Sequence, residues 1–187
     1  MTKQNSDEKT ILGFWIYLMT DLLMFAVLFA TYAVLRNNTF GGPSGKDLFN
    51  LQFALSETLI LLSSSFTTGL AILSGRKGET GKLLIWLLVT FLLGSTFLLM
   101  ELSEFSELIK EGHNWTKSAF LSSYFTLVGT HGLHIFAGLL WLSVLLIKII
   151  KSKINQSFIR KLTLFSLFWH FLDIVWVFIF TIVYLLV

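Results

Sequence analysis

The sequence predicts an all-α, polytopic membrane protein: five transmembrane helices gathered in one bundle. Three observations predict it. Of its 187 residues, 55% are hydrophobic and only 13% charged, with mean hydropathy +0.76, about half the roughly 25% charge of a soluble domain. The apolar residues fall into five runs, at roughly 12–35, 51–74, 83–106, 118–148 and 160–186, each long enough to cross ~30 Å of hydrocarbon as a helix. None alternates with the period of a barrel strand, and lipid permits only helices or closed barrels to span it.

The first run follows MTKQNSDEKT. This opening lacks the basic start, short apolar core and small-residue cleavage site of a signal peptide, so a bacterial inner (plasma) membrane is the expected destination. The connector from Arg36 to Asn50 contains GGPSG, a glycine- and proline-rich turn that breaks a helix. The second run is crowded with Ser63, Ser64, Ser65, Thr67, Thr68 and Gly69, and the fourth carries Gly129, Gly132 and Gly138; such residues let helix backbones approach closely. The fourth run, 31 residues long, exceeds an untilted span and is expected to tilt or protrude into the cytoplasm. The remaining connectors are too short to part domains, so residues 1–187 read as a single membrane domain.

Lys3, Lys9, Arg76, Lys77, Lys82, Lys148, Lys151, Lys153, Arg160 and Lys161 fall on one side, against Arg36, Lys46, Lys110 and Lys117 on the other. Ten against four predicts a cytoplasmic N-terminus and a periplasmic C-terminus. Trp15 and Trp86 near the inner boundary and Trp115 near the outer one suit interfacial belts. Because the cations cluster beside apolar runs, the net charge of +3 reflects topology rather than a nucleic-acid surface. The absence of cysteine excludes disulfides, thiolate ligands and a cysteine nucleophile. No phosphate-binding loop, zinc motif, nucleophile elbow or dinucleotide fingerprint occurs.

Ionisable groups in hydrocarbon are costly and normally face other helices or a polar cavity. Asp21 lies in the first span and Glu57 in the second; Glu101 and Glu104 close the third. His131 and His134 occupy the fourth, and His170 and Asp173 the fifth. At ~1.5 Å per residue, Asp21, His131, His134, His170 and Asp173 are expected to share the middle and inner half of the bundle. Glu57, Glu101 and Glu104 form a separate outer group. His131 and His134, Glu101 and Glu104, and His170 and Asp173 are each three apart and share a helix face. Asp173 is thereby placed to fix the tautomer of His170 or balance its charge. These residues serve either as interhelical hydrogen-bonding groups or, for the histidines, as ligands of a haem or metal.

Read as local strings, the polar positions carry a resemblance. GTHGLHIFAG from Gly129, LFWHFLDIVW from Leu167 and MELSEFSE from Met100 resemble subunit III of the haem-copper respiratory oxidases, the cytochrome c oxidase subunit III family. The first span from Gly13 and GGPSGKDLF from Gly41 are similar to its bacterial quinol-oxidase branch, of cytochrome bo type. The resemblance runs from about Ile11 to the C-terminus. It implies an accessory five-helix subunit, without catalytic, cofactor or metal residues of its own, that packs against and stabilises catalytic subunit I beside subunits II and IV. Haems and copper would belong to subunit I, in a complex that oxidises ubiquinol or menaquinol, reduces oxygen to water and moves protons outward. Asp21 falls where the cytochrome c oxidase branch has glutamate, one methylene longer. Asp21, Glu57, Glu101, Glu104, His131, His134, His170 and Asp173 are then structural, lipid-contact or subunit-contact candidates, beside a cleft that holds phospholipid. The alternative from the residues alone is a stand-alone haem b protein ligated by His131 or His134 with His170.

Overall fold

The computed structural model describes residues 3–41, 45–151 and 155–186. Gly42, Pro43 and Ser44 of the expected turn and Lys153 of the charge count lie outside them. Among the described residues the chain is all-helical: α1 (Lys3–Leu35), the short α2 (Gly45–Leu48), α3 (Leu51–Arg76), α4 (Thr80–Lys110), α5 (Ala119–Lys151) and α6 (Gln156–Ile179). The last continues as a π-helical stretch, Phe180–Leu185. Five helices are long and apolar enough to cross a membrane.

Several helices overrun their apolar runs, because extending a nucleated helix adds one backbone bond per residue fixed. Thus α1 takes in polar residues from Lys3, and α4 reaches Lys110. At 33 residues, α5 is ~50 Å long, well beyond the ~30 Å hydrocarbon layer. Starts and stops follow local chemistry. Asn50 caps α3 by accepting from the Gln52 and Phe53 amides at 3.0 and 3.3 Å, and Asn155 caps α6 by accepting from the Phe158 amide at 2.8 Å. Gly78 and Gly112 leave α3 and α4 with φ of +75° and +85°, a backbone region open to glycine.

Contacts across the bundle make α3 antiparallel to both α6 and α4. On α3 and α6, Thr58 meets Trp176 and Ser64 meets Trp169; on α3 and α4, Thr67 meets Thr90 at 2.8 Å. The small residues have a specific purpose here. A Cβ at Gly94 or Gly138 would stand 2.8 or 2.7 Å from the Trp169 ring, so α4 and α5 close on that indole only as glycine. Trp169 and Trp176 are buried, and their N–H groups donate to Ser64 and Thr58 at 2.9 and 3.1 Å, which explains the hydroxyl stripe of α3.

The core thus sits among α3, α4, α5 and α6. By contrast α1 lies along α5 and the edge of α6, through Phe14–Trp141, Phe25–Phe171 and Tyr32–Phe120. Only 11% of its apolar window is buried, against 50% for α3 and for the α6 span.

Candidate functional site: the intramembrane polar groups

At the end of the bundle far from the N-terminus, α3 and α4 bring the three glutamates together. Glu57 and Glu101 are buried, and with Glu104 they lie within electrostatic reach of one another. Glu101 lies against α5: a Cβ at Gly132 would run into its carboxyl group. Glu104 accepts from the Tyr184 hydroxyl at 3.0 Å, and that hydroxyl is 3.2 Å from the hydroxyl of Tyr124. Phe49, where the long connector returns to the bundle, roofs both tyrosines at ring separations of 4.6 and 5.1 Å. Beside Glu104, a cavity of about 280 Å³ is walled by Asn50, Ser103, Glu107 and Glu111.

The second expected cluster does not form as one unit. Asp21 and His134 do meet, with Oδ2 and Nε2 3.8 Å apart between α1 and α5. His134 Nδ1 donates to the Thr130 carbonyl at 2.7 Å. A carbonyl only accepts, so Nδ1 is the donor there and Nε2 is the ring nitrogen that faces Asp21. His131, though on the same helix, is fully buried among rings: Trp176 at 5.2 Å, Phe97 at 5.9 Å and Phe25 at 6.3 Å. His170 is exposed on the outside of α6. Its tautomer is set by the Ser166 carbonyl, to which Nδ1 donates at 2.7 Å, and not by Asp173. Asp173 turns inward and lies beside Ser65 of α3 without a well-formed hydrogen bond. His170 and Asp173 stay within electrostatic reach on one side of α6, but that side straddles the edge of the bundle, so His170 is exposed and Asp173 buried.

The haem alternative does not fit these residues. His131 has its faces and edge filled by Trp176, Phe97 and Phe25, while His170 faces away from the bundle. Two imidazoles on opposite sides of one planar slot are therefore not presented. No group of three or more histidine, aspartate or glutamate side chains suited to a metal ion occurs among the described residues.

Reasoning from sequence missed Tyr124 and Tyr184, the hydrogen-bonding partners at the glutamates. Tyr124 stands five residues into α5 and Tyr184 near the end of the last span, so a depth count extended to phenols would have set both level with Glu104. Ser65 and the donor role of Trp169 and Trp176 were equally hidden, since they depend on which helices meet.

Fold and polar interior together define a polytopic α-helical membrane protein with ionisable groups buried between its helices. Residues 4–187 match the family model described as "Cytochrome c oxidase subunit III". The chain belongs to that family. It is 56% identical over 182 residues to "Cytochrome bo(3) ubiquinol oxidase subunit 3" of Pseudomonas aeruginosa, covering 97% of this chain and 87% of that one. It is 46% identical over 179 residues to "Cytochrome c oxidase subunit 3" of Bacillus sp. (strain PS3), covering 96% and 86%. With "Quinol oxidase subunit 3" of Bacillus subtilis it shares 43% identity over 176 residues, covering 94% and 86%.

Proposed function

We propose that this chain is the accessory subunit III of a bacterial terminal quinol oxidase, docked on a haem-copper subunit I beside subunits II and IV. The carrying observation is the 56% identity, over 97% of the chain, to a subunit 3 named for cytochrome bo(3) ubiquinol oxidase. In this reading the chain forms one membrane domain in the inner membrane, with its N-terminus in the cytoplasm. It lends subunit I a stable wall, while quinol oxidation, oxygen reduction and proton movement proceed on redox centres held elsewhere. Support for a structural role comes from the polar groups that pair within the chain. Glu104 is held by Tyr184, His134 faces Asp21, and the two buried indoles reach α3 hydroxyls. Glu57, Glu101, His131, His170 and Asp173 complete the set of structural or subunit-contact positions. The thinly covered α1 and its groove against α6 supply the surface for lipid and subunit contact.

The test is purification of the oxidase with and without this chain. Copurification with a haem-containing subunit is expected, together with an unchanged initial rate but a shortened working life when the chain is missing. A chain that never copurifies with haem refutes the assignment. Loss of all haem from fresh complex would make the role one of assembly rather than upkeep.

A further inference from the structure

The last membrane-crossing helix has two unlike sides. Trp169, Leu172, Asp173, Trp176 and Ile179 are buried, whereas His170, Ile174, Val177 and Phe178 are exposed. Spacings of four, seven and eight residues set the exposed four on one face. On one flank of that face α3 is held through Trp169 and Trp176; on the other lies α1, through Phe171 and Phe178. The face is thus an open strip between α1 and α3. His170 stands fourteen residues after Gln156 and fifteen before Leu185, the bounds of the span. That is ~20 Å from either end, at the middle of the membrane. Its Nδ1 donates to the Ser166 carbonyl at 2.7 Å, with the Ser166 hydroxyl oxygen 3.2 Å away. In the neutral ring Nε2 therefore presents a lone pair, and among the described residues no hydrogen bond reaches it. Thr163 and Thr181, farther along α6, donate to their own helix at the Ile159 and Val177 carbonyls. We propose that this strip of α6 seats a membrane-crossing helix of another subunit, which donates an O–H or N–H to His170 Nε2 at mid-membrane.

Hydrogen-bond complementarity selects this occupant. Acyl chains would cover Ile174, Val177 and Phe178 as well as a helix does, but they carry no donor. They would leave the Nε2 acceptor unmet in hydrocarbon, where an unmet polar group is costly. Ionisable groups at this depth face protein or a watery cavity; His170 faces away from its own bundle, so the protein that covers it is a partner. A second copy seated by the same strip does not serve. Two such rings would meet lone pair to lone pair, since each Nδ1 proton already lies on a Ser166 carbonyl and the threonine hydroxyls are committed to their own helix. A carboxylate would likewise meet a lone pair. The donor is therefore a hydroxyl, indole or amide side chain, projecting from a helix whose remaining contacts are apolar. Membership of that helix in an oxidase rests on the function proposed above.

The test places photoreactive benzoylphenylalanine at Ile174, one turn along the same face, in the affinity-tagged full chain with His170 intact. After irradiation in native membranes, the cross-linked peptide is read by mass spectrometry. It is expected to be a transmembrane segment of another subunit, with a hydroxyl, indole or amide side chain within a turn of the linked residue. Adducts with phospholipid alone, with a second copy, or with a segment offering only carboxylates or apolar side chains overturn the proposal. Copurification in mild detergent then measures the bond itself. His170→Leu should lower retention of the linked subunit about threefold to tenfold, the range for one interhelical hydrogen bond. His170→Gln, whose amide oxygen reaches the Nε2 position, should keep most of it. Equal retention in the Leu variant, or a Gln variant as weak as the Leu variant, overturns the role of Nε2. If the Leu variant fails to accumulate, the cross-link on the His170-intact chain decides alone. Haem absorbance of the same sample tests oxidase membership independently: its absence would refute that reading, while a donor-bearing helix linked at Ile174 would leave the His170 interface standing.

Discussion

The four-helix core of α3 to α6 and the outlying α1 are built on different terms. In the core, the Trp169 indole is wedged against Gly94 and Gly138, both Trp169 and Trp176 are tethered to α3 hydroxyls, and buried Glu57 and Glu101 lie beside a half-buried Glu104 that accepts from Tyr184. In α1, Leu12, Leu23, Val27 and Val34 are all more than 60% exposed, and among the described residues its polar link to α5 is the partly buried Asp21–His134 contact. Helix association in lipid gains little from hydrophobicity, since lipid tails are as apolar as leucine; shape and interhelical hydrogen bonds decide it. The core has both in quantity. The outlying helix has a few ring contacts and one long polar contact, so its outward face is suited to lipid or a partner subunit.

Substitutions of graded severity break or sharpen that contrast. The largest effect is expected for Trp169→Ala, at about 3–5 kcal/mol, because it empties the space that Gly94 and Gly138 close around and leaves Ser64 without its donor. Thermal unfolding of the detergent-solubilised chain should show a sharply lowered midpoint, and a midpoint unchanged from wild type would mean that α4, α5 and α6 do not depend on the wedge. Next comes Gly132→Ala, which drives a methyl into the Glu101 carboxyl and should cost about 1–3 kcal/mol. The double variant Gly132→Ala/Glu101→Ala should recover part of the loss, with a coupling of ~0.5–3 kcal/mol in a double-mutant cycle; simple additivity would deny the contact. Tyr184→Phe removes the donor to Glu104 and is expected to cost about 0.5–1.5 kcal/mol by the same assay. Smallest is His134→Gln, with an effect near ~0.6 kcal/mol on the isolated chain. If this outer pair proved worth more than the Trp169 wedge, the ranking of core over α1 would be reversed.

Much of the fold was legible beforehand because hydropathy and charge are local properties. Five apolar runs require five helices in lipid whatever their neighbours, and the outer grouping of Glu57, Glu101 and Glu104 followed from depth alone. Azimuth was the missing quantity. A depth count puts His131, His134, His170, Asp173 and Asp21 at similar levels, yet packing sends His131 into a ring cage, His134 toward α1 and His170 out of the bundle. The serines and glycines announced close approach without naming its object, since the Trp169 indole that they accommodate lies on another helix. Tyr124 and Tyr184 escaped notice because phenols carry no charge in a sequence count, although their hydroxyls are what hold Glu104.

The π-helical end of α6 governs one of those contacts. Through Phe180–Leu185 the coil is wider than an α-helix, with the Leu186 amide donating to the Thr181 carbonyl five residues back at 3.1 Å. A widened turn of this kind amounts to one residue inserted into an α-helix, and such turns are frequent at functional sites. Were the same residues wound as an ordinary α-helix, the absorbed residue would reappear as phase: every side chain beyond it would swing by ~100°. Tyr184 would then point away from both Glu104 and Tyr124, and a more regular helix would make a less coherent bundle.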